Sequence, residues 1–332
     1  MVKKLRIFVL GDGGWGTTLA LLLDRTGFPV TLWSAFSAYA RYLDTKRRNP
    51  KFLPGVTIPR RIRITDDIAA AAASDVIVLA VPSEYLRQVL RRFKKTAFPR
   101  RAYYASVVKG IELGSLKRMS EVIHEELGAI RLGVLSGPTI VHEVVAGLPT
   151  TAVIASRSKK TATALQDIFM NERFRIYTSN DVTGVELGGS LKNVIAIACG
   201  ISDGLGFGTN AKAALVSRGL AEMARLGSAL GAEAKTFSGI SGLGDLVTTC
   251  FSAWSRNRSV GEQIAKGKTL AQVRKRMQMV AEGVPTAQSA FMLGKRSNIE
   301  LPITEQVYAV LYRGKSPLAA VSALMTRAKR EE

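Results

Sequence analysis

Three observations predict an α/β protein. Over the first half of the chain, short β-branched runs alternate with helical stretches, the pattern of a parallel-rich sheet covered by helices. Several of these runs end at once in a turn carrying glycine or polar residues. From about residue 183 the strand signal fades and long helical periodicities replace it, which predicts a sheet-based domain over residues 1–182 and an all-helical domain over 183–332.

In chain order, the first strand is Ile7 to Leu10, followed by a glycine-rich turn and a helix from Thr17 to Arg25. Val30 to Trp33 and Asp75 to Val81 are the next strands; Pro82-Ser83 then stands where a helix start is expected, before Glu84 to Lys95. Further strands are read at Tyr103 to Val107, Arg131 to Leu135, Ala152 to Ala155 and Phe174 to Tyr177, with a helix at Thr161 to Met170. The domain boundary is placed near Asp181 to Gly184, without a repeat or low-complexity linker. Beyond it, helices are expected at Val185 to Cys199, Ala211 to Leu230, Ala271 to Met279, Thr286 to Arg296, Thr304 to Tyr312 and Pro317 to Lys329.

The 332 residues suit two domains at about 150 residues each, and a 47% hydrophobic, 22% charged composition excludes wholesale disorder. The net charge of +21 raises the question of nucleic acid or anionic membrane. Residues 1–182 carry 28 basic and 15 acidic side chains, and 183–332 carry 19 and 11, so the excess lies in both halves and forms no basic tail. The doublets Arg60-Arg61, Arg91-Arg92, Arg100-Arg101 and Lys159-Lys160 are scattered and have few aromatic companions, which argues against nucleic-acid binding. Cys199 and Cys250 lack a C-x-x-C spacing and read as structural thiols in a reducing compartment. The start of the chain resembles a signal peptide superficially, but Asp12 and four glycines interrupt its apolar run; it reads as a strand and a turn. No stretch is read as long enough to span a bilayer, so a cytoplasmic protein is expected.

The most informative local feature is Gly11-Asp12-Gly13-Gly14-Trp15-Gly16, a G-x-G-x-x-G that follows a strand and opens a helix. Glycines there permit a tight turn and let backbone approach a pyrophosphate, and the helix N-terminus supplies free N–H donors and a positive dipole end. A carboxylate beside a pyrophosphate would repel it, so Asp12 is expected to point into solvent. The second strand ends Leu32-Trp33-Ser34-Ala35-Phe36, without the acid that NAD sites place about 20 residues on or the arginine of NADP sites. Arg41, Lys46, Arg47 and Arg48 follow, either for a 2′-phosphate or as a solvated helix end.

Ligands of open α/β sheets bind beyond the carboxyl ends of the strands. Val81-Pro82-Ser83, Val108-Lys109-Gly110 and Ser136-Gly137-Pro138-Thr139 occupy such positions, and Lys109 there is either an anion or carbonyl contact or surface decoration. Lys192 lies in the most apolar helix with Gly188, Gly189, Ile195 and Ala196 at helical spacing. Small neighbours leave room for a ligand, and apolar ones lower the amine's pKa toward acid–base use; a snorkelling lysine is the alternative. Trp254-Ser255-Arg256-Asn257-Arg258 offers hydroxyl, guanidinium and amide donors suited to a phosphate, and Asp245 in a glycine-rich loop could orient Lys192 or a substrate hydroxyl. Neither His124 nor His142 has metal-ligand spacing and no nucleophile elbow occurs, so no metal or serine-hydrolase site is expected.

Taken together, Gly11 to Gly16 with Trp15, Asn49-Pro50-Lys51-Phe52-Leu53-Pro54-Gly55, Val81-Pro82-Ser83, Lys109-Gly110, Ser136 to Thr139, Gly184 to Asn193, Gly200 to Gly204, Ser241 to Asp245, Ser255 to Asn257 and Glu282-Gly283 resemble the bacterial-type NAD(P)-dependent glycerol-3-phosphate dehydrogenases nearly end to end. The resemblance implies a Rossmann-like N-terminal domain, an all-helical C-terminal domain and an active site in the cleft between them. It also implies interconversion of sn-glycerol 3-phosphate and dihydroxyacetone phosphate with NAD(H) or NADP(H), for phospholipid synthesis, by a homodimer. By position, Lys192 looks like the proton acceptor and Lys109 a second active-site lysine touching substrate and cofactor. Gly137, Thr139, Asp245, Ser255, Arg256 and Asn257 match substrate positions. Gly11, Gly13, Gly14, Trp15, Gly16, Val141, Val280 and Glu282 match cofactor positions, as does Arg256. The family usually has Ala and Ser where this chain has Asp12 and Gly14, often has Arg or His at Ala35, and frequently has Ala at Val141.

Two other readings are weighed. A 3-hydroxy-acid dehydrogenase pairs a similar glycine loop with a helical domain and a lysine, but Ser255-Arg256-Asn257 with Asp245 favours a phosphorylated substrate. A nucleic-acid-binding protein would need clustered basic residues. Weak association with anionic membrane is retained as an expectation from the +21 charge.

Overall fold

The computed structural model describes residues 4–96, 98–277 and 279–329. The chain forms two compact units. The first takes the residues up to Lys109 together with Arg118–Val185, and the second takes Gly110–Lys117 together with the residues from Glu186 on. A single crossing between 182 and 183 was expected; the structure crosses at 185/186 and also sends 110–117 into the second unit. That excursion is too short to carry a periodicity, and its apolar residues Ile111 and Leu116 join the helical core.

Among the described residues the first unit contains ten strands: β1 Ile7–Leu10, β2 Val30–Trp33, β3 Arg48–Asn49, β4 Leu53–Thr57, β5 Arg63–Thr65, β6 Val76–Leu79, β7 Tyr103–Ser106, β8 Arg131–Ser136, β9 Thr150–Ala155 and β10 Phe174–Ser179. Eight of them form one sheet in the order β10-β9-β8-β7-β6-β1-β2-β5, and β3 pairs with β4 separately. All neighbours in the large sheet are parallel except β8 and β9. Side chains alternate across it. Ile7, Val9, Leu32, Val76 and Val78 face one apolar layer, while Phe8, Leu10, Ile77, Leu79 and Tyr104 face the other. Helices α1 Gly14–Arg25, α2 Ser37–Lys46, α3 Ser83–Lys94, α4 Met119–Leu127, α5 Val141–Ala146 and α6 Lys159–Phe169 connect the strands. Leucines of α1 and α6 enter the first layer, and Leu86, Leu90 and Phe93 of α3 with Val122 and Ile123 of α4 enter the second. Strand order reverses at β1, which has β2 on one side and β6 on the other; this is where an open parallel sheet leaves a crevice at its carboxyl edge.

The second unit is helical: α7 Val182–Gly204, α8 Thr209–Ala229, α9 Ala234–Phe237, α10 Asp245–Phe251, α11 Arg256–Ala265, α12 Leu270–Arg276, α13 Gly283–Arg296, α14 Pro302–Tyr312 and α15 Pro317–Met325, with α7 beginning in the first unit. Gln278, in the helix read over Ala271–Met279, lies outside the described residues. Helix α7 is the centre of the core, and Val194 to Ile197 are essentially inaccessible. With 23 residues it is long and apolar enough by length and composition to cross a bilayer, contrary to the expectation that no stretch is. Its most apolar stretch is wholly buried in the fold.

Candidate active site

The first unit contributes the glycine loop. Gly11 leaves β1 at φ 127°, and a Cβ there would stand 2.7 Å from the Ala80 carbonyl oxygen. A side chain at Gly16 would overlap the Gly11 carbonyl, so the loop closes tightly onto α1 only with glycine at both places. Beside Gly13 there is open space, and α1 starts without any side-chain cap, so its first-turn N–H groups stay available for an anion. Gly14 packs against the Phe52 carbonyl oxygen, which would stand 2.7 Å from a Cβ there, with a Val141 methyl at 3.9 Å. The indole N–H of Trp15 is buried and has no partner among the described residues, as expected of a donor reserved for a ligand. This cradle fits the pyrophosphate of a dinucleotide.

Asp12 does not point into solvent. It is half-buried, and its Oδ2 accepts from the Ser34 hydroxyl at 2.7 Å. Burial raises its pKa, against lowering by the Ser34 hydrogen bond, its own backbone and the Lys51 charge. At the carboxyl edge beyond β7 and β8, Lys109 Nζ donates to the Gly137 carbonyl at 3.1 Å, and the Thr139 hydroxyl donates to the same oxygen at 3.2 Å. Lys109, Gly137 and Thr139 are therefore one cluster. Of the basic residues after β2, Arg47 is held by Asp44 at 2.6 Å and by the Ile62 carbonyl at 2.8 Å.

The second unit contributes a buried charged cluster. Lys192, 6% exposed, lies in α7 with its Nζ 2.7 Å from Asp245 Oδ1, and it donates to the Thr249 hydroxyl at 2.6 Å. Thr249 in turn donates to the Asp245 carbonyl at 2.6 Å. Gly188 permits this: a Cβ there would stand 2.7 Å from the Ser241 carbonyl oxygen, so the 240–244 turn lies against α7 and delivers α10 to the lysine. The small residue read as room for a ligand is thus filled by backbone. Thr249 was not singled out from the sequence; its signal is the i, i+4 spacing from Asp245, legible only once 245–251 is known to be a helix.

Next to this cluster in sequence, α11 opens at Arg256. Ser255 caps it by accepting from the Arg258 N–H at 3.2 Å. Asn257 is buried and ties three elements together, donating to Asn193 of α7 at 2.9 Å and accepting from the Gly283 N–H of α13 at 2.9 Å. The Arg256 guanidinium donates to the Val280 carbonyl at 2.9 Å. Desolvation lowers its pKa and the Glu282 carboxylate raises it. Arg256, Val280 and Glu282 therefore share one locality. Cys199 and Cys250 are free and buried; the hydrogen bond to Cys199 and burial push the Cys250 thiol far up.

Comparison with known proteins agrees with both units. Family models described as NAD-dependent glycerol-3-phosphate dehydrogenase N-terminus and C-terminus match residues 6–162 and 181–322. The glycerol-3-phosphate dehydrogenase [NAD(P)+] of Chlorobium phaeobacteroides is 49% identical over 332 residues, covering 99% of each chain. That of a Thermoanaerobacter species is 48% identical over 329 residues, again covering 99% of each. The solved glycerol-3-phosphate dehydrogenase of Coxiella burnetii superposes with a TM-score of 0.94 at 38% identity, covering 98% of this chain and 99% of that one. A glycine cradle ahead of α1, a buried Lys192–Asp245 pair and full-length likeness on this scale have one reading: the chain belongs to the NAD-dependent glycerol-3-phosphate dehydrogenase family.

Proposed function

We propose that this protein interconverts sn-glycerol 3-phosphate and dihydroxyacetone phosphate with NAD(P)(H), supplying glycerol phosphate for phospholipid synthesis. The observation that carries the reading is the buried Lys192 held at a fixed position by Asp245 and Thr249. Gly11, Gly13, Gly14, Trp15 and Gly16 would hold a nicotinamide cofactor, with Val141, Lys109, Arg256, Val280 and Glu282 proposed as further contacts, and it would supply hydride acceptance or donation at C2. Lys192 moves the proton. In oxidation its neutral amine accepts the C2 hydroxyl proton, and in reduction its ammonium donates to the carbonyl oxygen. Asp245 and Thr249 keep Nζ on one line of approach, so little reorganisation is needed during transfer.

Arg256 at the first turn of α11 is the natural phosphate contact, because a guanidinium and a helix N-terminus favour the same dianion. Ser255 and Asn257 stand on either side of it and fix that turn through the cap and the ties to α7 and α13. Lys109, Gly137 and Thr139 form the second polar cluster offered to substrate. The buried free thiols suit a cytoplasmic enzyme. A homodimer and weak contact with anionic membrane belong to the same proposal.

The test is reduction of dihydroxyacetone phosphate by the purified protein, followed as loss of NADH or NADPH absorbance in parallel. Substrate-dependent oxidation of at least one cofactor is expected; oxidation of neither overturns the reading.

A further inference from the structure

The turn after β2 reads Ser34-Ala35-Phe36-Ser37 and lacks the carboxylate with which NAD sites hold the adenosine ribose. The fold brings carboxylates to that turn from elsewhere. Asp12, in the glycine loop, accepts from the Ser34 hydroxyl at 2.7 Å. The main chain at Asp12 is fixed as well, its carbonyl accepting from Thr17 Oγ1 at 3.0 Å and from Asn49 Nδ2 at 2.8 Å. Asn49 is itself buried and accepts from the Tyr39 hydroxyl at 2.7 Å. On the other side, Asp66 follows β5, the strand paired with β2, and its carboxyl is held below the usual range by Ser37 and by the charges of Arg41 and Arg92. Lys51, whose charge acts on Asp12, lies 5.0 Å over the Phe52 ring.

We propose that Asp12, reaching from the glycine loop to the carboxyl end of β2, supplies the carboxylate that the second strand lacks, and so selects a nicotinamide cofactor with a free adenosine 2′-hydroxyl over one with a 2′-phosphate. The inference rests on the reading that the glycine loop binds such a cofactor. A carboxylate is an acceptor only: it takes a hydrogen bond from a ribose hydroxyl and repels a phosphate dianion. This assigns a specificity role to a residue that the pyrophosphate alone would disfavour, which explains how an acid is tolerated inside the G-x-G-x-x-G.

Binding rather than turnover tests it. Quenching of intrinsic tryptophan fluorescence, with Trp15 in the loop itself, gives dissociation constants for NADH and NADPH on the wild type, Asp12→Asn and Asp12→Ala. The wild type is expected to bind NADH at least about tenfold more tightly than NADPH. Asp12→Ala is expected to reduce that ratio about tenfold or more, by tighter NADPH and weaker NADH binding, with Asp12→Asn between the two because it keeps an acceptor and loses the charge. Wild-type preference for NADPH, or an unchanged ratio in both variants, overturns the inference while leaving cofactor binding intact. Failure of the wild type to bind either cofactor overturns the underlying reading as well. If Asp12→Ala does not fold, the near-isosteric Asp12→Asn gives the same comparison.

Discussion

Lys192 shows how a single side chain can be structurally expensive and chemically necessary at once. Its ammonium and the Asp245 carboxylate are both nearly inaccessible, so removing either leaves the other buried and unpaired. Lys192→Met is therefore expected to destabilise the protein by about 3–5 kcal/mol and to cut turnover by about 10²–10⁴-fold, while the dissociation constant of the dinucleotide changes little. The double variant Lys192→Met/Asp245→Leu separates the two effects: it should recover part of the stability in urea unfolding and none of the turnover. Near-normal turnover in the single variant would remove Lys192 from the chemistry. The lysine was legible in the sequence because a charge in the middle of an apolar helix has few uses. Its partner Thr249 was not, since a threonine signals nothing until its helix is known. Asp12 was read in the wrong direction, because the hydrogen bond that holds it comes from Ser34, 22 residues away.

At the scale of elements, what the sequence disclosed depended on length and on how completely a segment is buried. Strands β1, β2, β6, β7 and β8 carry apolar residues on both faces and were legible; β3, β4 and β5 are short, partly exposed and contain Pro54, Gly55 and Arg63, so no period marks them. Helix α14 shows a connection that no local pattern predicts. Its first turn is capped by another helix: Glu222 of α8 accepts from the backbone N–H groups of Ile303 and Thr304 and from the Thr304 hydroxyl. Burial raises the Glu222 pKa from an ordinary 4.5 to about 7, against the lowering effect of those three hydrogen bonds and of Arg225. The folded state then binds a proton that the unfolded state has released between those two values, so stability is greatest below about pH 4.5 as far as this group is concerned. It falls as pH rises through the window and levels off above about pH 7, by a total on the order of 3 kcal/mol. Glu222→Gln removes the ionisation, and urea unfolding at pH 5, 6 and 7 should show a flatter dependence than the wild type. Parallel curves for the two proteins would contradict this account of the cap.

The molecule as a whole carries its +21 charge in both halves, and the anionic ligands of the proposed reaction account for only Lys109, Lys192 and Arg256 among 47 basic residues. Part of the remainder is structural, Lys212 and Arg258 both pairing with Asp203 and Arg87 with Glu126. Its division into units is less simple than a linear reading suggests, because the helical unit is incomplete without residues 110–117. Ile111 and Leu116 are buried in its core, the Ser190 hydroxyl donates to the Gly110 carbonyl at 3.2 Å, and the Ser289 hydroxyl donates to the Ile111 carbonyl at 3.1 Å. A fragment of residues 182–332 therefore loses two apolar plugs and two hydrogen-bond acceptors. Burying an Ile or Leu side chain contributes about 1.5–3 kcal/mol each, so the fragment should be less stable by roughly 3–6 kcal/mol than the same fragment with residues 110–117 joined through a flexible Gly/Ser linker. Urea midpoints and dye binding to exposed apolar surface measure the difference. Equal midpoints would mean that the helical unit folds without the segment, and that its eight residues are borne by the unit without supporting it.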